Sequence, residues 1–405
     1  MIKVAIIGVS GFGNVHYGDL IQACNENKLA LVAAVIINQE EEKEKCEKLK
    51  SIGCRIFTDY KTMFSEFNGK LDVCFIPTGI NLHAPMAIAA MRSGANVMIE
   101  KPAAATIQDI LEMQKVERET GKFVAVGYQH IYQPEIAKIK KTILNGEIGQ
   151  VKSIKCFGLW PRSESYYSRN RWAGKIKNGS DWILDSPFNN ALAHSVNLLC
   201  YLAGQTFETS CQIVSVQAGL FRANPQIENA DTACIRAVTG NKINLLFLVT
   251  HCSQKHYGPD MIIEGSAGKI RWNYQTTIIE RESGSEKIDN TTNEMRKNIM
   301  NAILGRVHDK KTFICDLNIA MAQTLFCNGA HESSPVIPVP EQDVTELEDS
   351  IGKRFVIKQI DDIMEKCFNE GRLFSTEDYP WALTGSELSM TGYSRFNGGK
   401  TGMKL

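Results

Sequence analysis

Val4-Ala5-Ile6-Ile7-Gly8-Val9-Ser10-Gly11-Phe12-Gly13 decides the fold: four apolar residues run into a glycine-rich turn, and a helical pattern over 15–25 follows at once. A continuous apolar run suits a strand buried on both faces of a parallel sheet. A dinucleotide-binding turn needs one glycine where the chain reverses and a small residue where backbone meets pyrophosphate. It needs a last glycine where helix packs on strand. Gly8 and Gly13 fill the first and last roles, and Ser10 holds the middle position with Gly11 and Phe12 after it. The free N–H groups and dipole of the following helix favour an anion there.

Outward from this turn, apolar strand-like runs recur at 31–37, 55–57, 73–76, 96–99 and 123–126. Helical patterns lie between them at 40–51, 62–67, 83–93 and 106–119. The alternation predicts an α/β class with a doubly wound Rossmann domain over 1–127. The second strand ends Val35-Ile36-Ile37-Asn38, with no acid before Glu40 and no arginine beside it. An acid there commonly bonds the ribose of NAD; Asn38 leaves the choice of NAD or NADP open.

From 128 to 405 the texture changes. Helices are expected at 134–145, 189–202 and 316–327, and a long one at 344–367. Strands are expected at 151–159, 210–217, 232–238, 243–250, 261–264 and 269–274, the last two joined by a hairpin turn at 264–269. The grouping predicts a second, α+β domain with a largely antiparallel open sheet. The packing of the tail at 368–405 is not legible.

Composition excludes several classes. The 405 residues are 43% apolar and 22% charged, with 45 basic and 45 acidic side chains, so no global field recruits nucleic acid or a membrane surface. The 12 cysteines form no C-x-x-C pair, and Cys74, Cys200 and Cys327 lie in apolar runs. They read as reduced, buried thiols in a cytoplasmic protein. No run approaches the roughly 20 apolar residues of a membrane span. The run at 4–7 is too short for a signal peptide. The 8 histidines show no H-x-x-x-H pattern or Cys/His cluster, so no metal site is expected.

The carboxyl ends of the fourth and fifth strands carry Thr78-Gly79-Ile80-Asn81-Leu82-His83 and Glu100-Lys101-Pro102. Ligands of open α/β sheets bind at such ends. Together with His16, Ser93-Gly94 and Gly127-Tyr128-Gln129-His130, these segments resemble the Gfo/Idh/MocA oxidoreductase family, which includes glucose–fructose oxidoreductase and inositol dehydrogenases. The resemblance implies an NAD or NADP site built from Gly8, Ser10, Gly11, Phe12, Gly13, Asn38, Thr78, His83, Glu100, Lys101 and Pro102. It puts Lys101 near the nicotinamide and the reacting carbon. The chemistry is reasonable in itself: hydride leaves a carbinol carbon only as the hydroxyl proton leaves, and a nearby lysine can share that proton.

The family's second motif sets an Asp four residues before a His. Here His194 matches, and Asn190 replaces the acid. On one helix Asn190, His194 and Asn197 would share a face lining a polar cleft. His194 is then a general acid/base or a hydroxyl anchor. An amide carries no proton, so Lys101 and His194 would share the proton transfer unless Asp185 reaches the cleft.

Trp160, Arg162, Tyr166 and Arg169 form an aromatic and cationic stretch suited to a sugar, sugar acid or cyclitol. The same stretch could instead pack on its own sheet or on a partner subunit. His251, His256 and Tyr257 reach the cleft or an edge, and His331 ends a helix, where its charge is favoured anyway. The reading is hydride transfer between nicotinamide and a carbinol carbon. NAD-assisted elimination or glycoside cleavage without net redox remains open, as does a non-catalytic regulator. The resemblance implies a homo-oligomer, dimer or tetramer, assembled through the open sheet.

Overall fold

The computed structural model describes residues 1–291 and 294–399. The chain forms two compact units. The first holds Met1–Ala104, Gln108–Gln129 and a later segment ending at Ala320. Its strands are β1 (Ile2–Ile7), β2 (Leu29–Val35), β3 (Arg55–Phe57), β4 (Val73–Ile76), β5 (Asn96–Ile99) and β6 (Val124–Val126). They form a parallel sheet in the order β3-β2-β1-β4-β5-β6. Val4, Ile6, Val73, Val97 and Val124 have no exposure, the double burial that a continuous apolar run demands. The order reverses between β1 and β4, a switch point where loops part and leave room for a ligand.

Five helices connect these strands: α1 (Gly13–Asn25), α2 (Lys43–Ser51), α3 (Tyr60–Glu66), α4 (Ile80–Arg92) and α5 (Ile107–Thr120). The first unit also takes in a segment that the sequence reading gave to the second domain. In chain order α6 (Pro134–Leu144), α7 (Glu164–Ser168) and α8 (Ala193–Leu202) come before it, and its own helix is α9 (Met295–His308). That helix buries Ile299, Met300, Ile303 and Leu304, and Arg296 on it pairs with Asp19 of α1. A contact so distant in sequence has no local signal.

The second unit is built on a ten-stranded sheet. Its strands begin with β7 (Val151–Leu159); a separate hairpin pairs β8 (Lys177–Asn178) with β9 (Asp181–Trp182). The sheet continues through β10 (Ile213–Arg222), β11 (Thr232–Thr239), β12 (Asn244–Thr250), β13 (Tyr257–Gly265), β14 (Gly268–Trp272), β15 (Thr276–Arg281), β16 (Gly284–Asp289) and β17 (Val336–Pro338). Pairing is antiparallel except at β7–β12 and β10–β17. The expectation of a largely antiparallel sheet holds, with those two parallel joints.

Residues 344–367 do not form one long helix. They form a hairpin of β18 (Val344–Asp349) and β19 (Gly352–Ile357), followed by α11 (Ile360–Glu370); α10 (Leu317–Ser333) precedes them. Gly352 turns the hairpin at φ +103°, where a side chain is disfavoured. Arg354 is buried and anchors it, donating to the Ser253 carbonyl at 2.7 Å and to Asp349 at 2.6 Å.

The tail through residue 399 is packed, and 400–405 lie outside the described residues. Phe374, Tyr379 and Trp381 join Phe157, Phe221 and Leu248 in one core cluster. A last short strand, β20 (Leu388–Ser389), pairs with β10. The Trp381 indole donates to Asp343 at 2.9 Å and stacks on Tyr379 with centroids 4.4 Å apart. Replacing Trp381 by alanine is expected to cost about 3–5 kcal/mol, the usual range for a buried tryptophan. Urea unfolding measures it, and a loss under about 1 kcal/mol would show that the tail is peripheral.

The cysteines are free thiols, all buried except Cys24. Among the described residues no helix is long and apolar enough to cross a membrane, and no cluster of His, Cys, Asp or Glu could hold a metal.

Candidate active site

In the first unit, the turn after β1 has the shape a pyrophosphate needs. Gly8 sits at φ +90° and Gly11 at φ +55°. No protein atom lies within 4 Å of where a Cβ on Gly11 would stand. Gly13 is the opposite case: a Cβ there would meet the Gly8 carbonyl oxygen at 2.7 Å. Helix α1 starts at this point with no acidic side chain in its own first turn, an arrangement that suits an anion at its N–H groups. Phe12 caps it, 52% exposed, with the Arg296 guanidinium 5.6 Å from its ring. The turn fits a dinucleotide phosphate.

Beyond β2 the missing acid reappears a few residues later. Ser10 donates to Glu42 at 2.7 Å, and the Asn38 amide donates to Glu41 at 2.8 Å and to Ser10 at 3.1 Å. Lys45 pairs with Glu42 at 2.7 Å and donates to the Val9 carbonyl at 2.8 Å. These bonds to Lys45 and Ser10 hold the Glu42 carboxyl below its ordinary pKa. Two carboxylates therefore flank Asn38, a feature the sequence reading missed because it looked only at the strand end.

The loops after β4 and β5 are tied together. His83 is 1% exposed. Its Nδ1 lies 2.9 Å from the Pro102 carbonyl and its Nε2 lies 3.1 Å from the Thr78 carbonyl. Both ring nitrogens are thus used by the protein. His83 braces the two loops. Glu100 is likewise internal. Its Oε1 lies 2.7 Å from His16 Nε2, and its Oε2 accepts the Lys101 backbone N–H at 3.0 Å. Burial pushes the Glu100 pKa up, but the His16 bond and the Lys101 charge outweigh it and hold the carboxyl low. Glu100 is a positioning residue that fixes the Lys101 peptide, and Gly127 is glycine because a Cβ would come within 3.0 Å of this carboxylate. The Lys101 side chain is partly exposed at the carboxyl end of β5.

In the second unit, Asn190 and His194 do not share one helix. Pro187–Ala191 forms a π turn, with Leu192 N–H donating to the Pro187 carbonyl at 2.7 Å, and α8 begins only at Ala193. Ser186 caps the turn by accepting from Asn189 N–H, and the buried Asn189 amide donates to the Leu184 carbonyl at 3.1 Å. The extra residue in the turn breaks the four-residue spacing. Asn197 is fully buried, so it does not line a cleft. Asn190 donates to Asp185 at 2.7 Å, and Asp185, 3% exposed, also accepts the Gly174 N–H at 2.6 Å. Asp185 therefore orients Asn190 rather than standing in for it. The His194 ring lies 4.6 Å from that of His130, a pairing sequence reasoning did not single out.

The remaining candidates separate by burial. Trp160, Arg162, Tyr166 and Arg169 cluster together: Arg162 lies over both aromatic rings and Arg169 over Tyr166. His256 stacks on Trp160 at 5.6 Å, and Tyr257 is exposed beside Asp260. His331 is a core histidine, 2.8 Å from the Cys327 carbonyl and 3.1 Å from the Asn229 amide oxygen. Burial pushes its pKa down to about 4.

A nucleotide-binding Rossmann unit joined to a sheet-based second unit defines a class, and the comparisons give its family. Residues 2–128 match the oxidoreductase family, NAD-binding Rossmann fold, and 136–271 match the GFO/IDH/MocA C-terminal domain. The chain belongs to the Gfo/Idh/MocA oxidoreductase family. It is 27% identical over 197 residues to a 1-carboxy-3-chloro-3,4-dihydroxycyclohexa-1,5-diene dehydrogenase of Comamonas testosteroni, covering 48% of this chain and 46% of that one. It is 24% identical over 212 residues to an inositol 2-dehydrogenase/D-chiro-inositol 3-dehydrogenase of Halalkalibacterium halodurans, covering 51% and 54%. The chain thus spans about half the length of these curated relatives. In fold it is similar to the WlbA dehydrogenase of Bordetella pertussis, solved with NADH and UDP-GlcNAcA. The TM-score is 0.67 at 21% identity, covering 81% of this chain and 94% of that one.

Proposed function

We propose that the chain is an NAD(P)-dependent oxidoreductase acting on a CH–OH group of a sugar, sugar acid or cyclitol. One observation carries the reading: the Gly8–Gly13 cradle and the Glu100-anchored Lys101 both stand at carboxyl ends of strands in one parallel sheet. The relatives' names, which include inositol dehydrogenases, support the substrate class. A bound nicotinamide supplies the hydride acceptor or donor. Gly8, Ser10, Gly11, Phe12 and Gly13 would hold its pyrophosphate, and Asn38 a ribose hydroxyl. The neutral Lys101 amine takes the hydroxyl proton as hydride leaves the carbinol carbon, and the ammonium so formed returns it in the reverse direction. In the second unit we assign His194 as a hydroxyl anchor or acid/base and Asn190, held by Asp185, as a substrate-binding amide. The buried free thiols favour a cytoplasmic setting. We further propose a homo-oligomer, dimer or tetramer.

The test is a screen of sugars, sugar acids and cyclitols with NAD+ and NADP+, followed by NADH or NADPH absorbance and product analysis. Reduced cofactor formed in step with oxidised product supports the reading. Product without accumulated reduced cofactor moves the assignment to non-redox elimination or cleavage. No turnover, together with no nucleotide binding, overturns it.

The same reading predicts NAD over NADP. Glu41 and Glu42 would face the adenosine ribose, where a 2′-phosphate meets like charge. The doubly substituted E41Q/E42Q protein is expected to bind NADPH about tenfold more tightly, which is about 1.4 kcal/mol. Part of that gain comes from releasing Lys45 from Glu42. Fluorescence titration measures it, and unchanged NADPH affinity would contradict the placement.

A further inference from the structure

The second unit gathers positive charge that the proton chemistry of Lys101 and His194 does not use. Arg162 follows β7, its guanidinium carbon 5.1 Å from the Trp160 ring centroid and 4.9 Å from that of Tyr166. Arg169 follows α7 and lies 3.6 Å from the same Tyr166 centroid. Two guanidiniums thus converge on one aromatic ring, whose π face attracts each of them. Their charge is poorly neutralised. Among the described residues Arg169 has a single carboxylate in reach, Asp185 at 3.9 Å, which is already engaged by Gly174 and Asn190, and it also donates to the Tyr166 carbonyl. Arg162 makes no ion pair among the described residues. It donates to its neighbour Pro161's carbonyl at 3.2 Å, and its buried Nε has no partner. The acid nearest in sequence, Glu164, is taken by Gln226 and Lys353.

Two histidines report the sign of the local field. His251, 2% exposed, has its pKa held well below the ordinary value by burial and then by Arg162 and Arg169. Its Nδ1 meets the Tyr167 hydroxyl at 3.0 Å and its Nε2 has no partner. His256 is lowered by burial and by Arg162. Burial is the larger cause at both histidines, and the guanidinium charge acts in the same direction.

We infer that Arg162 and Arg169, gathered on Tyr166, form a subsite for an anionic group on the substrate, a carboxylate or a phosphate. A planar guanidinium fork matches the oxygens of either anion, and such charge-assisted bonds are roughly twice as strong as neutral ones. A neutral polyol leaves the excess charge uncompensated. The inference rests on the redox reading above and narrows it to acidic substrates.

The test uses the full chain saturated with NADH, titrated calorimetrically with glucuronate, glucose 6-phosphate and glucose. One of the two acids is expected to bind at least tenfold more tightly than glucose, and which one identifies the anion. That preference shrinks when salt is raised from about 0.05 M to about 0.5 M. Arg162→Gln and Arg169→Gln should each weaken the favoured acid at least tenfold, with the lysine variants intermediate because they keep the charge and lose the fork. Glucose binding as tightly as both acids, or both glutamine variants matching the parent, overturns the subsite. The comparison of ligands and salt is made on the unsubstituted protein, so it stands even if a variant fails to fold. If neither NADH nor, in its place, NADPH binds, the redox reading fails; if either binds and no acid is preferred, only the subsite fails.

Discussion

Replacing Lys101 by alanine is expected to lower turnover by about two to four orders of magnitude, the usual contribution of a positioned acid or base. NADH affinity should stay within a few-fold of the parent. The split follows from where the two functions reside. On the proposed reading the phosphates would be held by backbone at the Gly8–Gly13 turn, whereas Lys101 acts through its side chain, its peptide N–H being fixed by Glu100. Removing the side chain leaves that bond and the brace of His83 between Thr78 and Pro102 intact. Stopped-flow turnover and NADH titration on the same preparation measure both sides. Parent-like turnover would remove Lys101 from the chemistry.

Substituting Gly13 by alanine should act in the reverse sense, through binding. The new methyl would stand 2.7 Å from the Gly8 carbonyl oxygen and 3.0 Å from its carbon, both backbone atoms that cannot swing aside. Either α1 retreats from β1 or the turn opens, and both move the N–H groups that face the phosphate. Overpacking of this kind costs about 1–3 kcal/mol. NADH affinity should fall about a hundredfold, which is about 2.7 kcal/mol. Gly18→Ala, on the same helix with no atom within 4 Å of its added Cβ, is the control and should be neutral or slightly stabilising. Equal NADH affinity in the two variants would contradict the role of the turn.

The first unit was legible because each of its strands is an unbroken apolar run, and only double burial in a parallel sheet rewards that pattern. The return of α9 to this unit was not, since nothing local in Ile299 or Ile303 says which surface will cover them. Val344 and Leu347, three apart, read as a helical stripe. The strand pairing that overrides it comes from partners at Ile357 and Arg354 across a glycine turn. The polar stripe expected on one helix failed at Pro187, a residue that starts helical turns and here starts a π turn. The bracing of the two loops by His83 was also not legible, because its two carbonyl partners lie at Thr78 and Pro102 in different loops. Glu42 was hidden because it acts through Ser10 rather than at the motif position itself, and Asp185, named as a possible stand-in for the missing acid, bonds Asn190 instead.

A crystal structure of the full chain grown with excess NAD+ tests the central claim most directly. The account predicts the pyrophosphate on the N–H groups at Gly11–Gly13 and the nicotinamide ring beside the Lys101 side chain. Dinucleotide bound elsewhere, or a nicotinamide remote from Lys101, would contradict it.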